Sequence, residues 1–233
     1  MKLIALSISA AALLAASPVV AQDYKWSGPT IGANLGYIWG DATTTDDKAD
    51  WGSDPKFVGP FNNNVGGFVG GGSLGYNVQL DRVVVGVAAD FDYADLAGSI
   101  ATPSSQSGNH QNIGLDGGFL GTVTGRLGFL VDPATQIFVS GGLALYTGEA
   151  SQATTADGYI SHATDTFTGW TVGGGVERMI SRNVSLKLEY AHYDFGTETG
   201  DQTSISDPPI GHVYHNHTAL TADSVRASIA YHF

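Results

Sequence analysis

The chain of 233 residues contains no cysteine. This absence excludes disulfides, thiolate metal sites, a cysteine nucleophile and lipid attachment at an amino-terminal cysteine. It also suits a polypeptide that crosses an oxidising compartment unfolded. Charge is sparse, at 14% of residues, and positive charge is sparser: 10 Lys and Arg stand against 22 Asp and Glu, a net of -12. Such an acidic surface repels phosphate backbones, so nucleic acid is not an expected partner. Long apolar runs are missing as well. Leu3 to Ala16 is uncharged but falls short of the about 20 residues a spanning helix needs. Preceded by Lys2 and followed by Val19-Val20-Ala21, it reads as a secretory signal peptide with cleavage expected after Ala21. A retained anchor is the alternative. Residues 22–233 then form one all-β domain.

What the chain has in quantity is glycine, 32 residues, and period-two alternation. The terminal stretch shows the alternation best. Val225, Ala227, Ile229, Tyr231 and Phe233 fall on one face of a strand, with Arg226, Ser228 and His232 on the other. A soluble domain has little reason to end on an apolar-faced strand with a terminal Phe. A barrel spanning an outer membrane has one, because lipid surrounds its outer wall and the last strand closes the ring.

Seven further strands are expected upstream. The first carries Pro29, Ile31, Ala33, Leu35, Tyr37 and Trp39 on one face; the second, about 65–78, carries Phe68, Leu74, Tyr76 and Val78. The third presents Val83, Val85, Val87, Ala89, Phe91 and Tyr93 outward, with Asp90 and Asp92 inward. Strands near 119–131, 137–147, 167–179 and 184–190 present Val123, Leu127, Phe129 and Val131; Ile137, Val139, Leu143 and Leu145; Trp170, Val172 and Val176; and Val184, Leu186, Leu188 and Tyr190. Connections alternate in length: 79–82, 132–136 and 181–183 are short, whereas 40–64, 95–117, 148–166 and 196–217 are long and polar. That alternation predicts an eight-stranded antiparallel transmembrane β-barrel with short periplasmic turns, four long extracellular loops and periplasmic termini. A soluble β-sandwich would have to cover eight apolar faces and carry four long loops on one side.

Aromatics gather near the strand ends, at Trp26, Tyr37, Trp39, Tyr76, Phe91, Tyr93, Tyr190, Tyr231 and Phe233. Rings with a polar edge favour the boundary between lipid and water. Inward parity collects Asp90, Asp92, Arg126, Glu177, Lys187, Glu189 and Arg226. An eight-stranded ring is just wide enough for side chains to fill it. A salt-bridge network of Arg126, Glu177, Lys187, Glu189 and Arg226 plugging the lumen is therefore expected, because an unpaired buried ion is costly. An ion-lined diffusion channel is the rival.

Several motifs carry less than they suggest. Gly70-Gly71-Gly72-Ser73-Leu74-Gly75 satisfies both G-x-G-x-x-G and, from Gly71, G-x-S-x-G. Neither has the helix or strained elbow its chemistry needs, since alternation continues through it. His212, His215 and His217 cluster in the fourth loop and form a candidate haem or divalent-metal site, set against a polar loop of solvated imidazoles. His192 and Asp194 lie near the outer rim, but parity turns His192 toward lipid and no serine neighbours it. Lipid-modifying catalysis is not expected, and the protein is read as a non-enzyme. The acidic first loop, with Asp41, Asp46, Asp47, Asp50 and Asp54 against Lys48 and Lys56, lacks the spacing of a calcium loop. No bound cofactor is expected beyond the haemin alternative.

Three segments resemble a known family. Trp26-Ser27-Gly28-Pro29-Thr30-Ile31-Gly32 leading to Gly36-Tyr37, then Leu188 to Gly196, then the terminal strand, are similar to the first, seventh and last strands of the alphaproteobacterial porin-opacity surface proteins. Ser228 stands where many relatives have Gly, and the loops look individual. The resemblance implies an eight-stranded outer-membrane barrel of a Gram-negative envelope that supports envelope integrity and displays surface epitopes. It also implies outer-membrane lipid and lipopolysaccharide as its surroundings, and uptake by the insertion machinery through the terminal strand. Some relatives are described as porins and some bind haemin. No shared catalytic residues come with the family, and nothing in the loops names a host partner.

Overall fold

In the computed structural model, which describes residues 24–46, 59–103, 110–154, 160–203 and 213–233, every regular element is a strand. The expected signal peptide, His212, and Asp47, Lys48, Asp50, Asp54 and Lys56 of the first acidic segment lie outside the described residues. The strands are β1 (Gly28–Asp46), β2 (Phe61–Leu80), β3 (Val83–Ala94), β4 (Gly98–Pro103), β5 (His110–Asp132), β6 (Thr135–Thr154), β7 (Ile160–Met179), β8 (Val184–Thr203) and β9 (Val213–His232). All pair antiparallel, and β3–β5 pairing completes the ring β3-β2-β1-β9-β8-β7-β6-β5. Lipid offers backbone groups no hydrogen bonds, so closure of this ring is what lets the sheet cross a bilayer.

Nine strands make eight staves. β3 and β4 both pair with β5, β3 opposite 118–129 and β4 opposite 110–115, so they are one stave interrupted at Asp95–Ala97. The interruption turns Leu96 into the interior, where it is fully buried. A register shift in β5 between Asp116 and Phe119 absorbs the mismatch. Alternation alone could not reveal this break.

Where they are described, the four segments expected as long loops are largely strand. β1 pairs with β9 out to Asp46↔Asn216, β6 with β7 out to Ala153↔Ile160, and β8 with β9 out to Thr203↔Val213. Their Thr-, Asn- and Asp-rich composition reads as loop because neither face is apolar, yet ladder hydrogen bonds continue there. The apolar outer positions of β9 run from Phe233 to Val225, about 20 Å along the membrane normal at typical rise and tilt. The 20 residues of β9 span roughly twice that at the same rise and tilt. The wall therefore projects well beyond the apolar band on its outer side.

Outer-face assignments follow strand parity. Ile31, Leu35, Tyr37, Trp39, Phe68, Leu74, Tyr76, Val87, Tyr93, Val123, Val139, Leu143, Trp170, Tyr190, Ile229, Tyr231 and Phe233 are all exposed, as a lipid-bathed wall requires. Trp26 is the exception. It was expected at the interface but is 1% exposed and closes the periplasmic end from inside. Its Nε1 donates to the Pro133 carbonyl at 3.0 Å, and its ring meets His232 edge-on at 5.8 Å. It precedes β1, so strand parity does not govern it.

Candidate functional site

The interior is filled in three layers. At the periplasmic end Trp26, Val84, Leu130, Ala134 and Met179 pack together, with Tyr24 against them. Toward the outside Ile38, Val69, Leu96, Leu120, Tyr146, Phe167, Tyr193, Phe195 and Leu220 form a larger apolar layer. Tyr193 and Phe195 stack at 6.0 Å with 2° between their planes, and Phe195 reaches Tyr146 at 6.0 Å. Between these layers lie the charges. Of the three layers only the charged one is expected from the sequence. The signal for the outer one was present, since Tyr146, Tyr193 and Phe195 sit at inward parity beyond the apolar band.

The charged layer has two centres. Arg126 Nη2 donates to Glu177 Oε2 at 2.6 Å, and the Arg126 guanidinium lies 4.5 Å over the Phe138 ring. Glu177 also accepts from Gln136 Nε2 at 3.0 Å and from Ser185 Oγ at 2.6 Å, with His232 Nε2 at 3.4 Å. In the second centre Arg226 Nη1 donates to Asp92 Oδ2 at 2.8 Å, with Asp90 at 3.9 Å, while Nη2 lies 3.6 Å from Glu189. Lys187 Nζ pairs with Glu189 at 2.8 Å, Ser140 Oγ donates to Glu189 at 3.0 Å, Thr122 to Asp90 at 2.9 Å, and Asn34 Nδ2 to Asp92 at 2.9 Å. Thus Arg126, Glu177, Lys187, Glu189 and Arg226 divide between two clusters, and Asp90 and Asp92 complete the second. Charge-assisted bonds of this length are the strong kind, and each carboxylate has several partners.

A cavity of about 20 Å³ remains beside Arg126, Ser140, Lys187, Glu189 and Arg226, room for roughly one water. Among the described residues Arg126 Nε, Arg226 Nε and Asn34 Oδ1 have no hydrogen-bond partner.

Ser185, His232 and Glu177 stand within hydrogen-bonding distance of one another, which invites a hydrolytic reading. The geometry refuses it. Both oxygens meet Nε2, with Ser185 Oγ at 3.0 Å, while Nδ1 has no partner among the described residues. A triad needs the carboxylate on the nitrogen opposite the nucleophile and an exposed hydroxyl, and all three residues are buried under Trp26. The glycine motif lies inside β2, where Gly71 faces Asp92: an added Cβ would lie 2.5 Å from Asp92 Oδ1.

On the outer wall His192 faces out, half-exposed, with Nδ1 2.9 Å from Asp223 Oδ1 and its ring 5.7 Å from Trp170. Tyr190 OH donates to the same Asp223 oxygen. Asp223 is a functional-site residue that sequence reasoning missed. His215 and His217 are exposed two residues apart on β9, and His217 Nδ1 lies 3.1 Å from Thr199 Oγ1. Among the described residues no three His, Cys, Asp or Glu side chains are grouped to hold a metal ion.

Comparison with known proteins agrees with this architecture. Residues 7–233 match the family model described as outer membrane protein beta-barrel domain. The 31 kDa outer-membrane immunogenic protein of Brucella melitensis is 33% identical over 184 residues, covering 78% of this chain and 75% of that protein. The 22 kDa outer membrane protein of Rhizobium leguminosarum bv. viciae is 30% identical over 169 residues, covering 72% and 68%. Among solved structures, the outer membrane protease OmpT of Escherichia coli superposes with a TM-score of 0.55 at 8% identity, covering 88% of this chain and 97% of that one. At that identity the likeness concerns the fold alone. With a closed ring of eight staves, an apolar outer wall and a filled interior, the chain belongs to the outer-membrane β-barrel family and resides in the Gram-negative outer membrane.

Proposed function

We propose that this protein is a structural and antigenic surface component of the outer membrane. In this reading a plugged barrel anchors the chain, supports envelope integrity and carries extramembrane β-hairpins to the cell exterior. The observation that carries it is the filled lumen. Among the described residues two apolar layers bracket an ion-paired layer with a cavity that fits about one water, which supports a lumen closed to a hydrated ion. The immunogenic relatives and the porin-opacity resemblance of the first, seventh and last predicted strands support a display role over a transport role. Lipopolysaccharide and outer-leaflet lipid are the partners of the wall, and the insertion machinery that of the terminal strand. The reading assigns no catalytic role and no cofactor.

Recording from purified protein in planar bilayers tests it. No steady conductance is expected, only brief openings. A steady, large single-channel conductance would reject the plug in favour of a passive diffusion porin.

A further inference from the structure

The ring is closed within the apolar band but splits above it. β7 pairs with β8 from Met179↔Ser185 only as far as Trp170↔Asp194. Beyond that pair, residues 160–169 of β7 keep an unbroken ladder with β6, and residues 197–203 of β8 keep theirs with β9. Among the described residues neither segment has a ladder partner on its other side. The extramembrane wall is thus two four-stranded halves, β8-β9-β1-β2 and β4-β5-β6-β7. At β2 and β4 they stay close, since a Cβ on Gly98 would lie 2.5 Å from the Asn64 carbonyl. At β7 and β8 they part.

A β-bulge lies where the halves part. The β8–β9 register steps from Asp194↔Thr221 to Thr197↔Ala219, leaving one extra residue in β8. Gly196 holds a φ of +67°, open to glycine, and its N–H donates to Asp194 Oδ1 at 2.9 Å. Phe195 is pinned in the interior by Tyr146 and Tyr193. A bulge increases local twist and bends its strand, and the β7–β8 ladder ends at this one.

We propose that this seam docks an extended, basic peptide segment, which adds to a seam edge as a further strand. An unpaired edge presents a row of backbone donors and acceptors, and strand addition is the recognition mode that uses them. Charge selects the occupant. Sequence 160–170 contains no Lys or Arg, and 194–203 carries Asp194, Glu198 and Asp201 with no base. A second copy, with a net charge of -12, would set acid against acid; a Lys-rich strand would be complemented. At the base of the seam Trp170 is 49% exposed beside Asp194, which suits a cationic side chain at the end of the strand. Glu198 pairs with Thr218, whose hydroxyl meets that of buried Thr44, so it lies on the inner face of the wall. The proposal goes beyond the display role, and a conducting lumen would leave it standing.

The test uses protein purified from outer membranes and held in lipid nanodiscs. The probe is a nine-residue peptide alternating Lys and Thr with one photoreactive residue. Its controls are the same peptide N-methylated at alternate backbone positions and a Glu-for-Lys version. Saturable binding of the Lys peptide is expected, weakened at least about tenfold by N-methylation, with crosslinks in 160–169 or 197–203. In the double variant Glu198→Lys/Asp201→Lys the preference should shift toward the Glu peptide. No saturable binding, equal binding of the N-methylated peptide, crosslinks elsewhere, or dimerisation of the barrel through the seam would each overturn the proposal.

Discussion

Arg226 Nη1 donates to Asp92 Oδ2 at 2.8 Å across 134 residues of sequence. β9 is hydrogen-bonded to β8 and β1, not to β3, so this bond crosses the lumen and ties the closing strand to the far wall. The same guanidinium lies near Asp90 on β3 and Glu189 on β8, so one base neutralises carboxylates from two other staves.

Replacing Arg226 by Leu leaves Asp90 and Asp92 buried without their cation, and Glu189 with Lys187 alone. Removing one partner of a buried ion cluster costs about 3–5 kcal/mol, far more than the cluster contributes relative to an apolar core. The folded band on unheated gels should therefore lose its resistance at a lower urea concentration than in the parent. Adding Asp92→Asn to Arg226→Leu should recover part of that loss, because one stranded charge is then gone.

Trp26 acts as the inner cap of the periplasmic end. Trp26→Ala empties a site that is 1% exposed, for an expected cost of about 3–5 kcal/mol. Trp26→Phe keeps most of the volume and loses only the bond to the Pro133 carbonyl, for about 1 kcal/mol. Urea midpoints in one detergent should fall in that order. Equal midpoints for all three proteins would refute the cap.

Strand parity made the wall legible in the sequence: Leu35, Val139 and Ile229 face lipid because the apolar set alternates without interruption. The charged lumen was legible for the same reason, since Arg126, Glu177 and Arg226 occupy inward positions of apolar strands. Three features were not. Trp26 lies before the first strand, outside any alternation. The break at Asp95–Ala97 depends on the β5 register shift, which is a matter of pairing and not of pattern. The seam above Trp170 begins at a bulge beside Gly196, and a bulge shows in the ladder and not in a run of Thr and Gly.

Gly36 sits directly opposite Arg226 on β1, facing inward. A Cβ there would lie 2.9 Å from Arg226 Cγ and would also meet the Val225 carbonyl. Gly36→Val should destabilise the barrel by about 1–3 kcal/mol, as overpacking does. Gly72, on the outer face of β2, is the control: an added Cβ meets only the Gly32 carbonyl, at 3.6 Å. Gly72→Val should be tolerated. Refolding yields into lipid vesicles compare the two, and an equal loss for both would show that glycine supplies strand bending here and not room for Arg226.

The position of the bilayer along the barrel is open to a depth test. Val139, 59% exposed on the outer face of β6, lies within the apolar band that runs from Ile137 to Leu145, one outward position from its centre at Gly141. Thr147, on the same face, comes next beyond that band and bonds to Thr166 on β7. A charged side chain on the lipid face costs about 2–4 kcal/mol at the midplane and about 0–1 kcal/mol near the interface. Val139→Arg should accordingly lower folding stability in vesicles by the larger amount and Thr147→Arg by the smaller. Both should behave alike in a soluble β-sheet, where either face meets water. A cost at Thr147 matching that at Val139 would mean that the bilayer reaches further up the wall, and that the strands beyond Trp170 are not outside the membrane.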